Sequence, residues 1–248
     1  MSQIESQQNP RLKAVRRLHT KRERARRGSF LAEGEDLIAA ARAAGRPLLE
    51  GYRLAGCGIG GEEFLDVERA ALASVSALGS GTRVIGVYEQ RWGAPLGPLC
   101  VYLHGVGDPG NVGTVLRSAQ AFGASCVVLG PGCADPHSPK AVRASMGAIF
   151  AVALARVADI AALPGELIAL DAAAREPLRA PAGAEPGPLT LLVGAERDGL
   201  PAGVLGACAR VARIPIASES LNAAMAATVA LYEMTRRGAR QTYTVPAS

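Results

Sequence analysis

Long apolar stretches are missing from this chain of 248 residues. A helix that crosses a bilayer needs about 18 or more consecutive apolar residues, and the longest candidates, Met146–Ala155 and Leu221–Tyr232, are too short. The N-terminus is polar and lacks the apolar core of a secretory signal peptide. We therefore expect a cytoplasmic protein that has no membrane partner.

Cysteines and histidines at the spacings typical of metal sites or disulfide frameworks are missing as well. The five cysteines form no C-x-x-C pair, which argues against both a zinc site and a disulfide framework. None of the three histidines stands in a helical motif with a carboxylate. We therefore expect free thiols and no metal. The residues considered are Cys57, Cys100, Cys126, Cys133, Cys208, His19, His104 and His137.

Motifs that bind nucleotide phosphates are absent or incomplete. The sequence contains no G-x-x-x-x-G-K-[ST] loop. Gly105–Gly110 reads G-x-G-x-x-G between a predicted strand and a predicted helix, as in dinucleotide-binding folds. However, Pro109 restricts Asp108 to extended backbone where that fingerprint requires a helix, and Pro131 stands where a ribose-binding acid is expected. A nicotinamide- or flavin-dependent oxidoreductase is therefore the weaker alternative.

The composition is that of a globular protein, but the charge is uneven. Hydrophobic residues make up 49% and charged residues 20% of the chain, and its length suggests one or two domains. Residues 1–30 hold nine of the 27 basic residues but only two of the 22 acidic ones. Such a segment attracts a polyanion such as RNA, and it lacks the apolar face of a membrane-lying helix. The simpler alternative is a solvated N-terminal arm.

The order of predicted elements indicates two domains. Gly93–Pro98 is the best linker because Gly and Pro disfavour regular structure. We predict a small α/β domain over residues 1–92 and a larger domain over residues 98–248. In the small domain, strands are predicted at 30–32, 48–54 and 84–88, and helices at 35–44 and 62–71.

The larger domain alternates strands with helices, which predicts a parallel sheet covered on both faces. Its strands are predicted at 99–104, 126–129, 150–154, 167–170 and 189–193, its helices at 112–122, 139–146 and 222–237, and a surface loop at 175–188.

Three short segments of the larger domain carry candidate functional residues. Asn111, at a predicted helix start, is expected to cap that helix, and Arg117 follows six residues later. Gly194–Gly199 is a glycine-flanked turn after a strand and presents Glu196. Ser220-Leu221-Asn222 opens the last predicted helix. Taken alone, the first segment favours a helix cap with a surface arginine, the second fits an ordinary turn equally well, and the third is usually only a cap.

Together, the three segments resemble motifs one, two and three of the SpoU/TrmH family of RNA ribose 2′-O-methyltransferases. These motifs are N-x-G-x-x-x-R, G-x-E-x-x-G and S-L-N, and they occur here in the family's order. Ser138–Gly147 is similar to the segment between the first two motifs. Asn9–Arg11 and Phe30–Gly34 are similar to the small N-terminal substrate-binding domain of the rRNA-type members.

The resemblance implies an α/β fold whose parallel sheet ends in a C-terminal deep trefoil knot, preceded by the small α/β domain. It implies S-adenosylmethionine as the cofactor, held mainly by the backbone of Gly194, Ile214 and Leu221. Arg117 would contact the acceptor nucleotide. The residues expected to shape the pocket around it are Asn111, Glu196, Ser220 and Asn222. A guanidinium that always keeps its proton is a poor base, so we expect Arg117 to orient the 2′-hydroxyl, bind phosphate and stabilise charge.

The resemblance also implies partners. It predicts a homodimer formed through the knotted region and an RNA substrate, with rRNA favoured over tRNA. The residues expected to bind RNA are Arg11, Arg16, Arg17, Arg26 and Arg27. One departure is Ala223-Ala224, where many relatives carry a Val after the S-L-N signature, but no functional group is lost. A tRNA methyltransferase and a non-catalytic RNA-binding factor are the alternatives.

Overall fold

The computed structural model describes residues 3–77, 81–180 and 187–236. The chain divides into two compact units. The first comprises the chain up to Arg91 together with Asp135–Ala151, and the second comprises Trp92–Ala134 and the chain from Val152 onward. These units differ from the predicted domains in one respect, because residues 135–151 pack within the first unit.

Eleven strands and nine α-helices are found within the described residues. The strands are β1 (Ser29–Glu33), β2 (Leu48–Leu54), β3 (Phe64–Val67), β4 (Val84–Glu89), β5 (Leu99–Leu103), β6 (Cys126–Leu129), β7 (Ala153–Arg156), β8 (Glu166–Leu170), β9 (Glu176–Pro177), β10 (Leu189–Val193) and β11 (Arg210–Arg213). The helices are α1 (Pro10–Arg17), α2 (Lys21–Arg27), α3 (Glu35–Ala43), α4 (Arg69–Ala73), α5 (Pro109–Ala121), α6 (Pro139–Ala144), α7 (Ala148–Ala151), α8 (Ala202–Gly206) and α9 (Ala223–Thr235). No helix in this part of the chain is long and apolar enough to cross a membrane.

The first unit is built on a four-stranded sheet of order β1-β4-β2-β3. Strand β4 runs antiparallel to β1 and β2, whereas β3 runs parallel to β2. The predicted helix at 62–71 is wrong, because β3 occupies its middle and α4 starts only after the Glu68 cap. Phe64 and Val67 are buried and pair in register with Gly51 and Leu54 of β2. Tertiary pairing therefore decides this short apolar segment.

The N-terminal basic segment is part of the first unit's core. Helix α1 and its C-cap residue bury Leu12, Val15 and Leu18 in the same apolar cluster as Tyr52. Gly28, with a φ of 60°, ends α2 in the left-handed region that favours glycine. The alternative of a solvated N-terminal arm is therefore wrong.

A buried ion pair joins α2 to the segment at 135–151. The Arg24 side chain, 4% exposed, donates from Nε and Nη2 to Oδ2 of Asp135 at 2.9 and 2.7 Å. Its Nη1 donates to the carbonyl oxygens of Leu18 and His19, each at 2.8 Å. Four hydrogen bonds satisfy a guanidinium that burial would otherwise destabilise.

Aromatic packing holds the far end of the same segment. Phe150 stacks on Phe30 with ring centroids 5.8 Å apart and meets the edge of Tyr88 at 4.9 Å. The predicted strand at 150–154 is therefore shifted. Phe150 belongs to α7 and the first unit's core, and β7 begins only at Ala153.

The second unit contains a seven-stranded sheet of order β7-β6-β5-β10-β8-β11-β9, in which every pair is parallel. This confirms the predicted α/β fold with a parallel sheet. Strand β10 lies between β5 and β8, and all five of its residues are buried, as expected for a strand covered on both faces. Arg237, the predicted end of the last helix, and residues 181–186 of the predicted loop lie outside the described residues.

We predict that Arg24→Ala lowers the free energy of unfolding by about 3–5 kcal/mol, because Asp135 is left as a buried, unpaired charge. Arg26→Ala is the matched control, since Arg26 pairs with Glu23 on the surface, and its effect on stability should be small because solvent screens exposed ion pairs. Urea unfolding monitored by circular dichroism measures both changes. Equal effects of the two substitutions would contradict a structural role for the buried pair.

Candidate active site

A cavity of about 340 Å³ opens at the carboxyl ends of β8 and β10 and beyond the end of β11. Crevices at this edge of an open parallel sheet are the usual place for ligands, especially where strand order reverses, as it does between β5 and β10. The cavity is lined by Leu170, Asp171, Ala172, Val193, Gly194, Ala195, Glu196, Arg197, Asp198, Gly199, Leu200, Ile214, Ile216, Ser220, Leu221, Ala223 and Ala226.

The structure brings five of the sequence-predicted site residues to this cavity, namely Gly194, Glu196, Ile214, Ser220 and Leu221. Sequence reasoning missed the contribution of β8, whose end supplies Leu170 and Asp171. The available signal was an acidic residue directly after a buried strand. The Asp171 carboxylate already accepts a hydrogen bond from the Ala173 N–H at 2.9 Å, which fixes its rotamer.

The turn after β10 explains why its motif begins and ends with glycine. A Cβ on Gly194 would lie 2.2–2.5 Å from backbone atoms of Gly199 and Leu200, so only glycine fits there. Gly199 has a φ of 63°. Ala195 and Gly199 exchange backbone hydrogen bonds of 3.2 and 3.0 Å. This closed turn holds the exposed Glu196 at its tip.

Hydrogen bonds connect the three sequence motifs. Asn111 Nδ2 donates to Glu196 Oε1, and Asn222 Nδ2 donates to Asn111 Oδ1 at 3.1 Å. The side chains of Asn222, Asn111 and Glu196 thus form one chain that joins α9, α5 and the turn after β10. We call this set the polar chain.

The two helix starts differ in how they are capped. Asp108, not Asn111, caps α5, because its Oδ1 accepts the Asn111 N–H at 3.1 Å. The expectation that Asn111 is the cap is therefore wrong, and its amide is available to the polar chain instead. Asn222 caps α9 through Oδ1, which accepts the N–H groups of Ala224 and Met225 at 2.9 and 3.3 Å. Its Nδ2 remains for Asn111.

Small residues allow α9 to pack closely on α5. The hydroxyls of Ser118 and Thr228 lie 2.6 Å apart across the two helices. The alanines buried along α9 are Ala223, Ala224, Ala227 and Ala230. The polar chain is therefore supported by direct packing of its two helices.

Arg117 is not joined to the polar chain. It lies on the exposed face of α5 and forms no hydrogen bond or ion pair with any residue in the described ranges. Ser220 is exposed at the cavity mouth, and its carbonyl oxygen accepts the Ser218 hydroxyl at 3.3 Å. The Arg117 and Ser220 side chains are therefore both exposed to solvent, where a ligand can reach them.

The predicted RNA-binding arginines fall into two groups. Arg11, Arg17, Arg26 and Arg27 are exposed on α1 and α2. The hydrogen bond from Arg26 lowers the pKa of the Glu23 carboxyl, which therefore stays charged and offsets part of the positive charge of α2. Arg16 differs because its Nε and Nη2 donate to the Ser74 carbonyl and hydroxyl at 3.1 and 2.9 Å. Arg16 therefore anchors α1 to Ser74, which follows α4.

Family models match most of the chain. The model of the SpoU rRNA Methylase family matches residues 98–232, and that of the MRM3-like substrate binding domain matches residues 9–86.

Several relatives are similar over different lengths. An uncharacterized tRNA/rRNA methyltransferase of Synechocystis is 30% identical over 261 residues, covering 96% of this chain and 94% of the relative. One of Mycobacterium tuberculosis is 39% identical over 150 residues, covering 55% and 51%, so the chain spans about half the length of such mycobacterial relatives. A 23S rRNA (guanosine(2553)-2′-O)-methyltransferase of Bacillus subtilis is 31% identical over 164 residues, covering 63% and 65%.

Two solved structures cover nearly the whole chain. The AdoMet-bound rRNA methyltransferase from Sinorhizobium meliloti has a TM-score of 0.83 and 31% identity, covering 96% of this chain and 98% of its own. The SpoU methyltransferase AviRb from Streptomyces viridochromogenes, in complex with the cofactor AdoMet, has a TM-score of 0.82 and 26% identity, covering 95% and 100%.

We predict that Gly194→Ala destabilises the protein by about 1–3 kcal/mol, because the added Cβ meets backbone that cannot move without opening the turn. Gly203→Ala on α8 is the matched control. No atom lies within 4 Å of its added Cβ, and Ala should stabilise a helix by about 0.4–1 kcal/mol. Thermal unfolding measures both, and a neutral Gly194→Ala would show that the turn is not closed.

Proposed function

Because the chain belongs to the SpoU rRNA methylase family, we propose that it transfers a methyl group from S-adenosylmethionine to a ribose 2′-hydroxyl of ribosomal RNA. The observation that carries the proposal is the polar chain of Asn222, Asn111 and Glu196. It assembles three motifs that are separated in sequence beside a cavity at the carboxyl ends of parallel strands.

The cavity fits such a cofactor. Its lining combines apolar side chains with glycine backbone and a few polar groups, as small-molecule sites do. Gly194, Ile214 and Leu221 line the cavity and would hold the cofactor mainly through backbone groups. When bound, S-adenosylmethionine supplies the activated methyl group on its sulfonium.

Arg117 would bind and orient the acceptor nucleotide. Its fork of N–H donors suits a phosphate or a ribose oxygen, whereas a guanidinium has no acceptor and does not lose its proton in proteins, so it is unsuitable as a proton acceptor. Asn111, Glu196 and Asn222 would fix the acceptor side of the pocket, with the Ser220 hydroxyl nearby. In-line alignment of a hydroxyl with a methyl donor supplies several kcal/mol of catalysis.

Ribosomal RNA is the substrate that the comparisons favour. The Sinorhizobium meliloti structure, similar over nearly its whole length, is titled an rRNA methyltransferase, and the match over residues 9–86 is to a substrate-binding domain. Arg11, Arg17, Arg26 and Arg27 would grip the RNA backbone in the cytoplasm, while Arg16 holds α1 in place. A tRNA substrate is the second candidate.

We also propose a homodimer formed through α9. This helix exposes an apolar stripe of Met225, Val229 and Tyr232, which are 60, 40 and 55% exposed. These residues recur at spacings of four and three, so they share one face. Phe122 packs against the edge of Tyr232 and extends the apolar surface. A charge at Val229 would be expected to yield a monomer in sedimentation.

The threading of the C-terminal segment through a deep trefoil knot belongs to the same proposal. Its support is that β10 lies between β5 and β8 while α9, later in the chain, packs against both α5 and β10. The predicted division into a small domain ending at residue 92 and a larger domain beginning at residue 98 is also part of the proposal.

We predict that Arg117→Ala lowers kcat for RNA methylation by roughly 10²–10³-fold, the usual cost of one donor that stabilises reacting groups. S-adenosylmethionine affinity, measured by calorimetry, should not change because Arg117 does not line the cavity. Gln120→Ala, one turn further along the exposed face of α5, is the control and should retain full activity. Normal turnover by Arg117→Ala would contradict the role given to this residue.

We predict that replacing Arg11, Arg17, Arg26 and Arg27 by Gln weakens RNA binding and reduces its salt dependence. Each phosphate contact contributes about 0.9 to the slope of log affinity against log salt. Fluorescence anisotropy with rRNA at several salt concentrations measures the slope. An unchanged slope would mean that these arginines are only solvated.

The whole proposal is tested by mapping 2′-O-methyl groups in RNA from cells with and without the protein. We expect one rRNA position to lose its methyl group in the deletion strain. Loss confined to tRNA would favour the second candidate, and cofactor binding without any lost methylation would favour a non-catalytic RNA-binding factor.

A further inference from the structure

The segment Asp135–Ala151 is assigned to the methyltransferase family by sequence but packs in the first unit. It lies inside the family match at 98–232, between β6 and β7. The Arg24–Asp135 ion pair anchors its beginning, and Phe150 anchors its end against Phe30 and Tyr88. Because both ends are held in a core, the surface between them is presented in a fixed position.

The outward face of this segment is basic. Helix α6 buries Ala141 and Val142, while Lys140 and Arg143 are exposed one turn apart on the opposite side. No acidic residue occurs anywhere in 136–151. Arg143 forms no ion pair with any residue that the structure describes. Two exposed cations one turn apart on a single helix face suit an anionic partner.

An apolar side chain continues the same surface. Met146 follows the end of α6, is 53% exposed, and has a φ of 49°. It is the one non-glycine residue with a positive φ in the described ranges. That conformation is unfavourable for a residue with a Cβ, and backbone strain of this kind concentrates at functional positions.

Packing enforces the strained turn. Gly147, with a φ of 94°, approaches α3 so closely that a Cβ there would lie 2.5 Å from Cβ of Ala40. Ser145, on the other side, is fully buried and donates its hydroxyl to the Val142 carbonyl at 2.7 Å. Met146 is therefore held out toward solvent by two fixed neighbours.

We propose that Lys140, Arg143 and Met146, here called the α6 ridge, form a second RNA-contacting surface separate from the basic face of α1 and α2. The cations would bind successive phosphates, and the Met146 thioether would pack on an unstacked base or ribose. An apolar contact of this kind requires bases outside a duplex, so the strand bound would be a loop or another single-stranded stretch. This inference rests on the proposed function because it assumes an RNA substrate.

The test uses the full chain and rRNA purified from a strain that lacks the protein. In Lys140→Gln/Arg143→Gln, two lost phosphate contacts should lower the salt slope of RNA affinity by about 1.4, because each contact to a single strand contributes about 0.7. S-adenosylmethionine affinity should remain unchanged. Arg69→Gln, which removes an exposed arginine from α4 of the same unit, is the matched control and should leave the slope as in the wild type.

Met146→Gly separates binding from folding. Glycine adopts a positive φ without strain, so this variant should unfold at the same or a higher temperature than the wild type while binding the RNA several-fold more weakly. Wild-type affinity and slope in both ridge variants would overturn the α6 ridge and leave the proposed function intact, provided the wild type methylates the rRNA. If the wild type neither binds nor methylates it, both proposals fail.

Discussion

Every part of the candidate site depends on one constraint, the close contact between backbone atoms at Gly194 and Gly199. Because no Cβ intervenes, the chain after β10 folds back on itself within six residues. That fold places the Glu196 carboxylate within reach of Asn111. Asn111 is in turn tied to Asn222, and the cap that Asn222 forms sets the start of α9. A single tight turn therefore connects α5 with α9 through side-chain hydrogen bonds and forms one wall of the cavity.

The first unit follows a different physical principle. Helix α1 buries apolar side chains, whereas α2 buries the Arg24 side chain. The position of each arginine decides whether its charge lies inside or at the surface. Arg24 turns inward and is neutralised by Asp135, and Arg16 is tied to Ser74. The others remain at the surface. Net charge alone predicts a polyanion partner for the segment, but burial decides which arginines are available to it.

Much of this could be read from the sequence, for reasons that particular residues illustrate. Strands such as β5 and β10 are short, continuous apolar runs between turn residues, which favour buried parallel strands, and both were found. Gly194 and Gly199 mark a turn in any context. The failures arise where distant residues decide the outcome. Phe64 joins a strand because β2 lies beside it, and Phe150 leaves its expected strand because Phe30 and Tyr88 receive it. Asn111 is not the cap because Asp108 stands three residues earlier, and Asp171 reaches the cavity only through sheet order.

The placement of residues 135–151 has a consequence for how such proteins can be divided and recombined. The backbone leaves the second unit after β6, contributes α6 and α7 to the first, and then returns to form β7. A cut at the Gly- and Pro-rich linker would therefore leave Phe150 without its aromatic neighbours and Asp135 without its arginine. The second unit therefore cannot be excised as a separate module at that linker. An exchange of N-terminal regions between relatives would succeed only if residues 135–151 were exchanged together with the N-terminal region that they pack against.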